Sequence, residues 1–358
     1  MNDFITADSM KANILFVDDE PMMRDLLKST MEATNCSCYF AENGKEALRL
    51  LAWQSFDVVV TDIGMPVMNG IELAKIIKKD FAPDVIVITG QSHSYQYDEI
   101  ISIGASDFIE KPFSPTEMKL RINRVLKERS LKQSAERTHE ELKESYLDSI
   151  HRMVMAAEYK DEDTGDHIVR IGKYCTLLAE RLNLSEVFLE TINYAAPMHD
   201  IGKIGIPETI LLKPGKLTDD EFDVIKTHTL IGARLLSKSK SNIMQMAHEI
   251  ALSHHEKFNG RGYPNQLIGT DIPLAGRLVA IADTFDALTS KRPYKDPYPK
   301  EVVYDILKKE RGEHFSPEIL DVFIENFDQF FEIRGKVGLF EGDAYGNFIL
   351  SERDRTDN

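Results

Sequence analysis

Residues 57–70 read DVVVTDIGMPVMNG, an apolar run that ends in Thr61-Asp62 and passes through a loop containing Gly64 and Pro66 into a helical pattern. Asp57-Thr61 has the length and apolar content of a short buried strand. From Gly70 to Lys79, Ile71, Ala74, Ile77 and Lys78 recur at helical spacing. The alternation repeats on both sides. Asn13-Val17, Cys36-Phe40, Val85-Thr89 and Ser106-Ile109 read as strands, and Arg24 to Met31 reads as a helix carrying Leu26, Leu27 and Thr30. Strand and helix alternating five times predict a doubly wound, five-stranded parallel sheet, an α/β unit over residues 11–127.

The chain has 358 residues, more than one compact core usually holds, and its 42% hydrophobic and 28% charged composition argues against a disordered chain or a membrane protein. A net charge of -16 disfavours a broad basic surface, so DNA is not an expected partner. Three cysteines, Cys36, Cys38 and Cys175, form no disulfide framework and read as reduced core thiols. No run of 18 apolar residues occurs, and the first ten residues, MNDFITADSM, have no basic region or apolar run of a signal peptide. A cytoplasmic location without membrane insertion is expected.

A second helix signal starts at Ser114-Pro115, with Ser at the cap and Pro at the first position, and meets no further Gly or Pro until Gly165. Leu131, Thr138, Leu142, Ser145 and Ser149 mark a thin seam along it. Two readings fit residues 128–150: a short two-stranded coiled coil, which would make the chain a homodimer, and a solvated connecting helix. Over residues 151–335 the pattern is all helical. Ile168, Ile171, Cys175, Leu178, Ala179 and Leu182 form one stripe, and stripes resume at Val187-Met198, Asp220-Leu236 and Ile243-Leu252. Residues 336–358 lose periodicity and read as an extension.

In an open parallel sheet, ligands sit beyond the carboxyl ends of the strands. Those ends here carry Asp18-Asp19, Asp62, Thr89 and Lys111. Converging carboxylates repel unless a hard cation such as Mg2+ neutralises them, and Thr89 and Lys111 can then hold a phosphoryl group. A lone Asp at a strand end is usually a helix cap, but capping does not account for the set. VDDEP, TDIGMPVMNG, ITG and EKPF together resemble the receiver domain of two-component response regulators. The resemblance implies that Asp62 is the phosphoacceptor, and that Asp18, Asp19, Asp62 and the backbone of Gly64 hold Mg2+. It implies contacts from Thr89 and Lys111 to the phosphoryl oxygens, and a histidine kinase or phosphotransfer protein as partner. Phe108 falls at the family's aromatic switch and equally reads as ordinary core.

Eight of the ten histidines lie from His151 onward. HDIGK supplies His199, Asp200 and Lys203, His254-His255 is an adjacent pair, and Asp283 opens DTFDAL. Imidazoles and carboxylates at helix positions facing one cavity favour Fe, Mn, Zn or Ni over Ca2+. His151, His248 and His314, each alone, read as ordinary hydrogen-bonded residues. HDIGKIGIP, KPGKLT, HHEKFNGRGYP and ADTFDALTSKRPY together resemble the HD-GYP family, helical metal hydrolases that degrade cyclic di-GMP.

That resemblance implies ligands at His167, His199, Asp200, His228, His254, His255 and Asp283, with Asp200 as the bridging carboxylate, and Fe or Mn ahead of Zn or Ni. Asp163 stands four residues before His167, where some members carry a Glu that serves a third metal. Third-metal ligand and capping carboxylate both remain open there. Lys203 resembles the family residue that supports the departing sugar oxygen, against the bland reading of a surface cation. Arg292 and Lys295 resemble substrate-phosphate or guanine contacts. Gly262 permits a turn closed to larger residues, and Tyr263 either packs on a base or is structural. The expected function is hydrolysis of cyclic di-GMP to pGpG, and onward to GMP, under control of Asp62. Alternatives are a cyclic GMP-AMP phosphodiesterase, a catalytically weak adaptor that binds nucleotide or a partner protein, and a nucleotide phosphohydrolase.

Overall fold

A computed structural model describes residues 11–32, 34–90, 102–158, 165–291 and 296–337. Asp163, Arg292 and Lys295 lie outside the described residues, as does the extension beyond residue 337. The described chain divides into two units, one ending at Lys143 and one beginning at Glu144.

The first unit is the predicted sheet. Strands β1 (Asn13–Val17), β2 (Ser37–Ala41), β3 (Val58–Asp62), β4 (Asp84–Thr89) and β5 (Asp107–Glu110) pair in parallel in the order β2-β1-β3-β4-β5. Alternate side chains point to opposite faces, so two cores form. Leu15, Val17, Val59, Val85 and Val87 meet α2 (Gly44–Trp53) and α3 (Gly70–Asp80) on one face. Ile14, Phe16, Val58, Val60, Ile86 and Ile88 meet α1 (Pro21–Met31) and the start of α4 (Pro115–Glu158) on the other. The chain reverses its winding between β1 and β3, and Asp18 and Asp62 stand at the carboxyl ends of those two strands.

Helix α4 starts as predicted, with the Ser114 hydroxyl accepting from the Glu117 N–H at 3.1 Å. Its apolar positions Met118, Ile122, Val125 and Leu126 are buried in the first unit, and residues 131–143 are exposed throughout, Leu131 and Leu142 included. From Leu147, through Ile150, Val154 and Ala157, the helix enters the core of the second unit. Cys36 and Cys38, expected in the core, are half-buried at the start of β2, because that strand is at the sheet edge; Cys175 is fully buried.

The second unit is all helical among its described residues. It comprises α5 (Gly165–Arg181), α6 (Glu186–Ala195), α7 (Glu208–Leu211), α8 (Asp219–Lys226), α9 (His228–Leu236), α10 (Asn242–Ser253), α11 (Leu274–Thr289), α12 (Lys300–Lys309), α13 (Pro317–Glu325) and α14 (Phe327–Lys336). Tyr174 and Cys175 from α5, Phe285 from α11 and Phe323, Phe327 and Phe330 from the last two helices share one apolar core. The stripe Asp220-Leu236 does not form one helix. It breaks at Thr227, whose hydroxyl donates to the Val224 carbonyl at 2.6 Å, while the His228 ring bonds the Ile225 carbonyl at 2.7 Å. Side chains that take the carbonyls of the preceding turn compete with helical N–H groups, which ends α8 and frees His228 to start α9.

Four non-glycine residues, Val67, Asn183, Lys238 and Gln266, have positive φ among the described residues, and Val67 is the β-branched one. Val67, in the loop after Asp62, has φ of +70°, although a β-branched residue disfavours the left-handed region. Val67 is largely exposed, so its side chain can be removed without leaving a cavity. Val67→Gly is expected to stabilise the first unit by about 1 kcal/mol, read as about fivefold slower exchange of its most protected amide hydrogens in the full chain.

Candidate functional site

The centre of the second unit is built at helix ends. His199 and Asp200 sit where one 3-10 turn (Ala196–Met198) meets another (Ile201–Gly205), and Asp200 has φ -102° and ψ 8°. The two residues therefore do not face the cavity from an α-helix, as the sequence pattern suggested; the junction turns both side chains inward. His254 caps the C-terminus of α10 and His255 follows it. Two further contributions come from helix faces, His167 from α5 and Asp283 from α11.

Glycine lets these pieces meet. A Cβ on Gly202 would lie 1.9 Å from the His228 carbonyl oxygen and 2.5 Å from the Gly232 nitrogen, so only glycine admits α9 this close to the His199-Asp200 turn. At Gly262 a Cβ would lie 2.3 Å from the Lys257 nitrogen, which fixes the tight loop that follows the histidine pair.

Two facing sets of donors result. Asp200, His228, His254 and His255 form one, and His167, His199 and Asp283 the other, each set having ligand atoms within 4.8 Å of one another. Asp200 stands between them. Its Oδ1 lies 3.1 Å from His228 Nε2 and 3.4 Å from His254 Nε2, and its Oδ2 lies 3.4 Å from His199 Nε2 and 2.8 Å from Lys203 Nζ. All seven predicted ligands thus come together, and Lys203 joins them.

Proton positions decide what the centre can hold. The Nδ1 atoms of His199, His228 and His254 face the carbonyls of Ala196, Ile225 and Ile250 at 2.7–3.0 Å. A carbonyl only accepts, so each Nδ1 carries the proton and each Nε2 presents a lone pair. Those lone pairs point toward a carboxylate, and His228 Nε2 and His254 Nε2 face each other at 3.3 Å. Asp200 Oδ1 is buried and accepts no hydrogen bond of good geometry. Lone pairs gathered in a buried pocket repel unless a cation sits among them, so the donor set fits divalent transition metals.

Ionisation agrees. Burial alone would raise the Asp200 pKa, yet the Lys203 ammonium 2.8 Å away holds it well below the usual carboxylate range. Burial pushes His254 down, and burial together with His254 pushes His255 well down. Neutral imidazole, the ligating form, is therefore favoured at both.

Three supporting residues were absent from the sequence reading. Asp286, 2% exposed, bonds His167 Nδ1 at 2.8 Å and takes both arms of Arg170 at 2.6 and 2.9 Å. Glu256, 1% exposed, accepts from the backbone N–H groups of Asn265 and Leu267 at 2.7 and 3.0 Å, pinning the loop that carries Gly262, Tyr263 and Pro264. The Tyr263 ring then stacks on His255 with centroids 4.8 Å apart, and Phe222 meets Tyr263 edge-on at 6.4 Å. The available signal was spacing: Arg170 and Asp286 each follow a ligand by three residues, and Glu256 follows His255 directly. His248 bonds the Ala233 carbonyl at 2.7 Å and His314 stacks on Phe315 at 4.3 Å, so both serve packing.

In the first unit Asp18, Asp19 and Asp62 gather at the sheet edge. Lys111 Nζ lies 3.1 Å from Asp62 Oδ2 and 3.6 Å from Asp18 Oδ2. Burial alone would lower the Lys111 pKa, but its bond to Asp62 outweighs that and raises it, while burial raises Asp18. Asp18 and Asp62 are further fixed by the N–H groups of Glu20 and Ile63 at 2.9 and 3.0 Å. Thr89, at the end of β4, is buried and its carbonyl accepts from the Lys111 N–H at 2.7 Å. Gly64 is exposed beside Asp62, and Phe108 is half-buried against the sheet core. The carboxylate-only cluster fits a hard cation such as Mg2+.

Known proteins fit this division. A response regulator receiver domain matches residues 14–123, and an HD domain matches residues 148–319. A cyclic di-GMP phosphodiesterase of Thermotoga maritima is 39% identical over 87% of this chain and 89% of its own length. The cyclic di-GMP phosphodiesterase response regulator RpfG of Xanthomonas campestris pv. campestris is 36% identical over 90% of each. A 3'3'-cGAMP-specific phosphodiesterase 2 of Vibrio cholerae is 42% identical over 55% of this chain and 38% of its own length.

The packing of Gly202 against α9 yields a direct test. Gly202→Ala places a methyl group against the His228 backbone, which cannot yield as a side-chain tip can. The variant is expected to lose about 1–3 kcal/mol of stability and most of its bound metal, measured by denaturation and elemental analysis of the folded fraction.

Proposed function

We propose, from the premise that this chain belongs to the response regulators that carry a receiver domain ahead of an HD domain, that it hydrolyses cyclic di-GMP to pGpG under control of Asp62 phosphorylation. The same centre is available to cut pGpG onward to GMP. The observation that carries the reading is the two-sided donor set around Asp200, with Lys203 beside it.

Asp200 would bridge two metal ions, one held with His228, His254 and His255 and the other with His167, His199 and Asp283. When bound, such ions supply a nucleophilic hydroxide from water at neutral pH and neutralise phosphodiester charge. We assign iron or manganese to this centre and Mg2+ to the receiver. The remaining work falls to the chain. Lys203, 2.8 Å from the shared carboxylate, would support or protonate the leaving sugar oxygen. Tyr263, held flat against His255, offers a ring face and edge to a purine. Arg292 and Lys295 are assigned to substrate phosphate. Metal count decides Asp163: a third ion assigns it as a ligand, and two ions leave it a cap.

The receiver supplies the switch. Lys111 already spans Asp18 and Asp62, so a phosphoryl group on Asp62 would find a cation and the Thr89 hydroxyl at hand, with Phe108 as the aromatic that responds. A histidine kinase or phosphotransfer protein is the assigned donor. We take residues 11–127 as the receiver, 128–150 as a helical linker, 151–335 as the catalytic unit and 336–358 as an extension. Pairing of two copies through receiver or linker is the proposed response, and the cytoplasm the proposed location. Among the described residues no helix is long and apolar enough to cross a membrane.

Preparations made without oxygen and supplied with Mn2+ or Fe2+ are expected to convert cyclic di-GMP to pGpG, followed by chromatography. Metal-loaded protein that binds the nucleotide yet never cleaves it would overturn the enzyme reading in favour of an adaptor. Cleavage of mononucleotides instead would point to a nucleotide phosphohydrolase. The Vibrio cholerae relative supports a second reading, 3'3'-cGAMP as substrate, and competition between the two cyclic dinucleotides separates them.

Two variants refine the roles. Lys203→Met is expected to lower kcat about 10²–10⁴-fold with metal content unchanged. Asp62→Asn is expected to abolish both acyl-phosphate labelling and any change in turnover or oligomeric state that such treatment produces in the parent protein.

A further inference from the structure

Four imidazoles of the donor set have a defined Nδ1 partner, and the partners are of two kinds. His199, His228 and His254 lean on backbone carbonyls three or four residues earlier, at 3.0, 2.7 and 3.0 Å. These partners are part of the turn itself and no side-chain substitution removes them. His167 leans instead on the carboxylate of Asp286, 119 residues away. We infer that Asp286, clamped by Arg170, is a positioning residue that fixes the tautomer of His167 and thereby controls metal occupancy of the His167–His199–Asp283 half of the centre separately from the other half.

The clamp leaves the carboxylate no freedom. Arg170 donates from Nε to Asp286 Oδ1 at 2.6 Å and from Nη2 to Oδ2 at 2.9 Å, a fork that sets the plane of the group. The Ser290 hydroxyl bonds Oδ2 at 3.2 Å and also accepts from Arg170 Nη2 at 3.1 Å. Asp286, His167 and Arg170 are 2%, 5% and 8% exposed, so water does not substitute for any of these bonds. The design is repeated on two helices. On α5, His167 is followed one turn later by Arg170; on α11, Asp283 is followed one turn later by Asp286. Each helix thus contributes one ligand and, one turn along the same face, one half of the ion pair behind it.

The carboxylate accepts from Nδ1–H, which leaves Nε2 of His167 as the ligating lone pair, and an anionic partner makes that lone pair more basic than a carbonyl does. The half of the centre that contains Asp200 with His228, His254 and His255 includes two imidazoles set by backbone carbonyls and no contact to Asp286 among its defined bonds. Removing the relay therefore weakens one half and spares the other.

Asp286→Asn is the sharpest test. Arg170 donates to both carboxylate oxygens, and His167 Nδ1 shares Oδ2 with Arg170 Nη2, so an amide in either orientation turns its NH2 group on one arm of the fork and removes the negative charge behind His167. The inference rests on the metal-centre reading, and the experiment uses metal alone, with no nucleotide. Protein stripped by a chelator is titrated with Mn2+, following bound equivalents and the electron paramagnetic resonance signal. The parent chain is expected to bind at least two ions with an exchange-coupled signal. In Asp286→Asn, one ion should bind about 10–100-fold more weakly, and the coupled signal should give way to that of an isolated ion. Arg170→Lys, which keeps a buried cation but loses the fork, should show a smaller loss at the same half.

Parent protein that binds no Mn2+ would sink the metal-centre reading itself. Parent protein with a coupled pair, and Asp286→Asn with the same pair at the same affinity, would overturn only the positioning role. Equal weakening of both ions would overturn the separation of the halves. If Asp286→Asn does not fold, Arg170→Lys decides: unchanged affinity for both ions overturns the inference.

Discussion

A buried carboxylate surrounded by lone pairs is the constraint on which the second unit is organised. Asp200 gathers three imidazole Nε2 atoms within 3.1–3.4 Å, and nothing in the geometry allows those atoms to donate to it. Such an arrangement is costly in an empty low-dielectric pocket and favourable around a cation, so the rest of the helical unit must hold it against repulsion. Two features do so. The helix-end carbonyls lock each ring through Nδ1, and the missing Cβ of Gly202 lets the His228 backbone pack directly against the turn that carries Asp200. The ammonium of Lys203 on Asp200 Oδ2 offsets one side of the carboxylate.

The receiver solves a related problem with different atoms. Asp18 and Asp62 repel at the switch point of the sheet, and Lys111 bridges them at 3.6 and 3.1 Å. Oxygen-only ligands at a strand edge favour a hard, exchangeable ion that retains water, whereas imidazole-rich ligands in a closed pocket favour a tightly held transition metal. The same chain therefore separates a reversible charge switch from a resident catalytic centre by ligand type alone. Each is expected to respond to different metals in solution.

Much of this was legible from sequence because it depends on local pattern. Buried parallel strands read as apolar runs, and the ends of those runs name the sheet-edge residues without further help; each expected strand lies within one residue of the observed one. The candidate donors His199, Asp200, His254 and His255 were legible as adjacent pairs. What was not legible depends on distance in sequence or on competition within a turn. Asp286 reads as an ordinary helical carboxylate until His167 is brought to it across 119 residues. The break at Thr227 follows from two side chains taking two carbonyls, a choice that periodicity does not encode. Helix α4 shows both limits: its start is written in Ser114-Pro115, while the residue at which it passes from one core to the other, Leu147, has no mark in the sequence.

Charge at the centre, rather than over the chain, governs what it can bind. The net charge of -16 would repel a dianionic cyclic dinucleotide if it acted as a whole, but ions in solution screen exposed charges beyond about 8–10 Å. Within that radius the donor set brings the carboxylates of Asp200 and Asp283 together with the ammonium of Lys203. Two divalent ions would add positive charge there. Such ions would therefore add to substrate attraction, and a defect in either half would lower affinity as well as chemistry. The proposed relay behind His167 would then act on both, through the charge it secures.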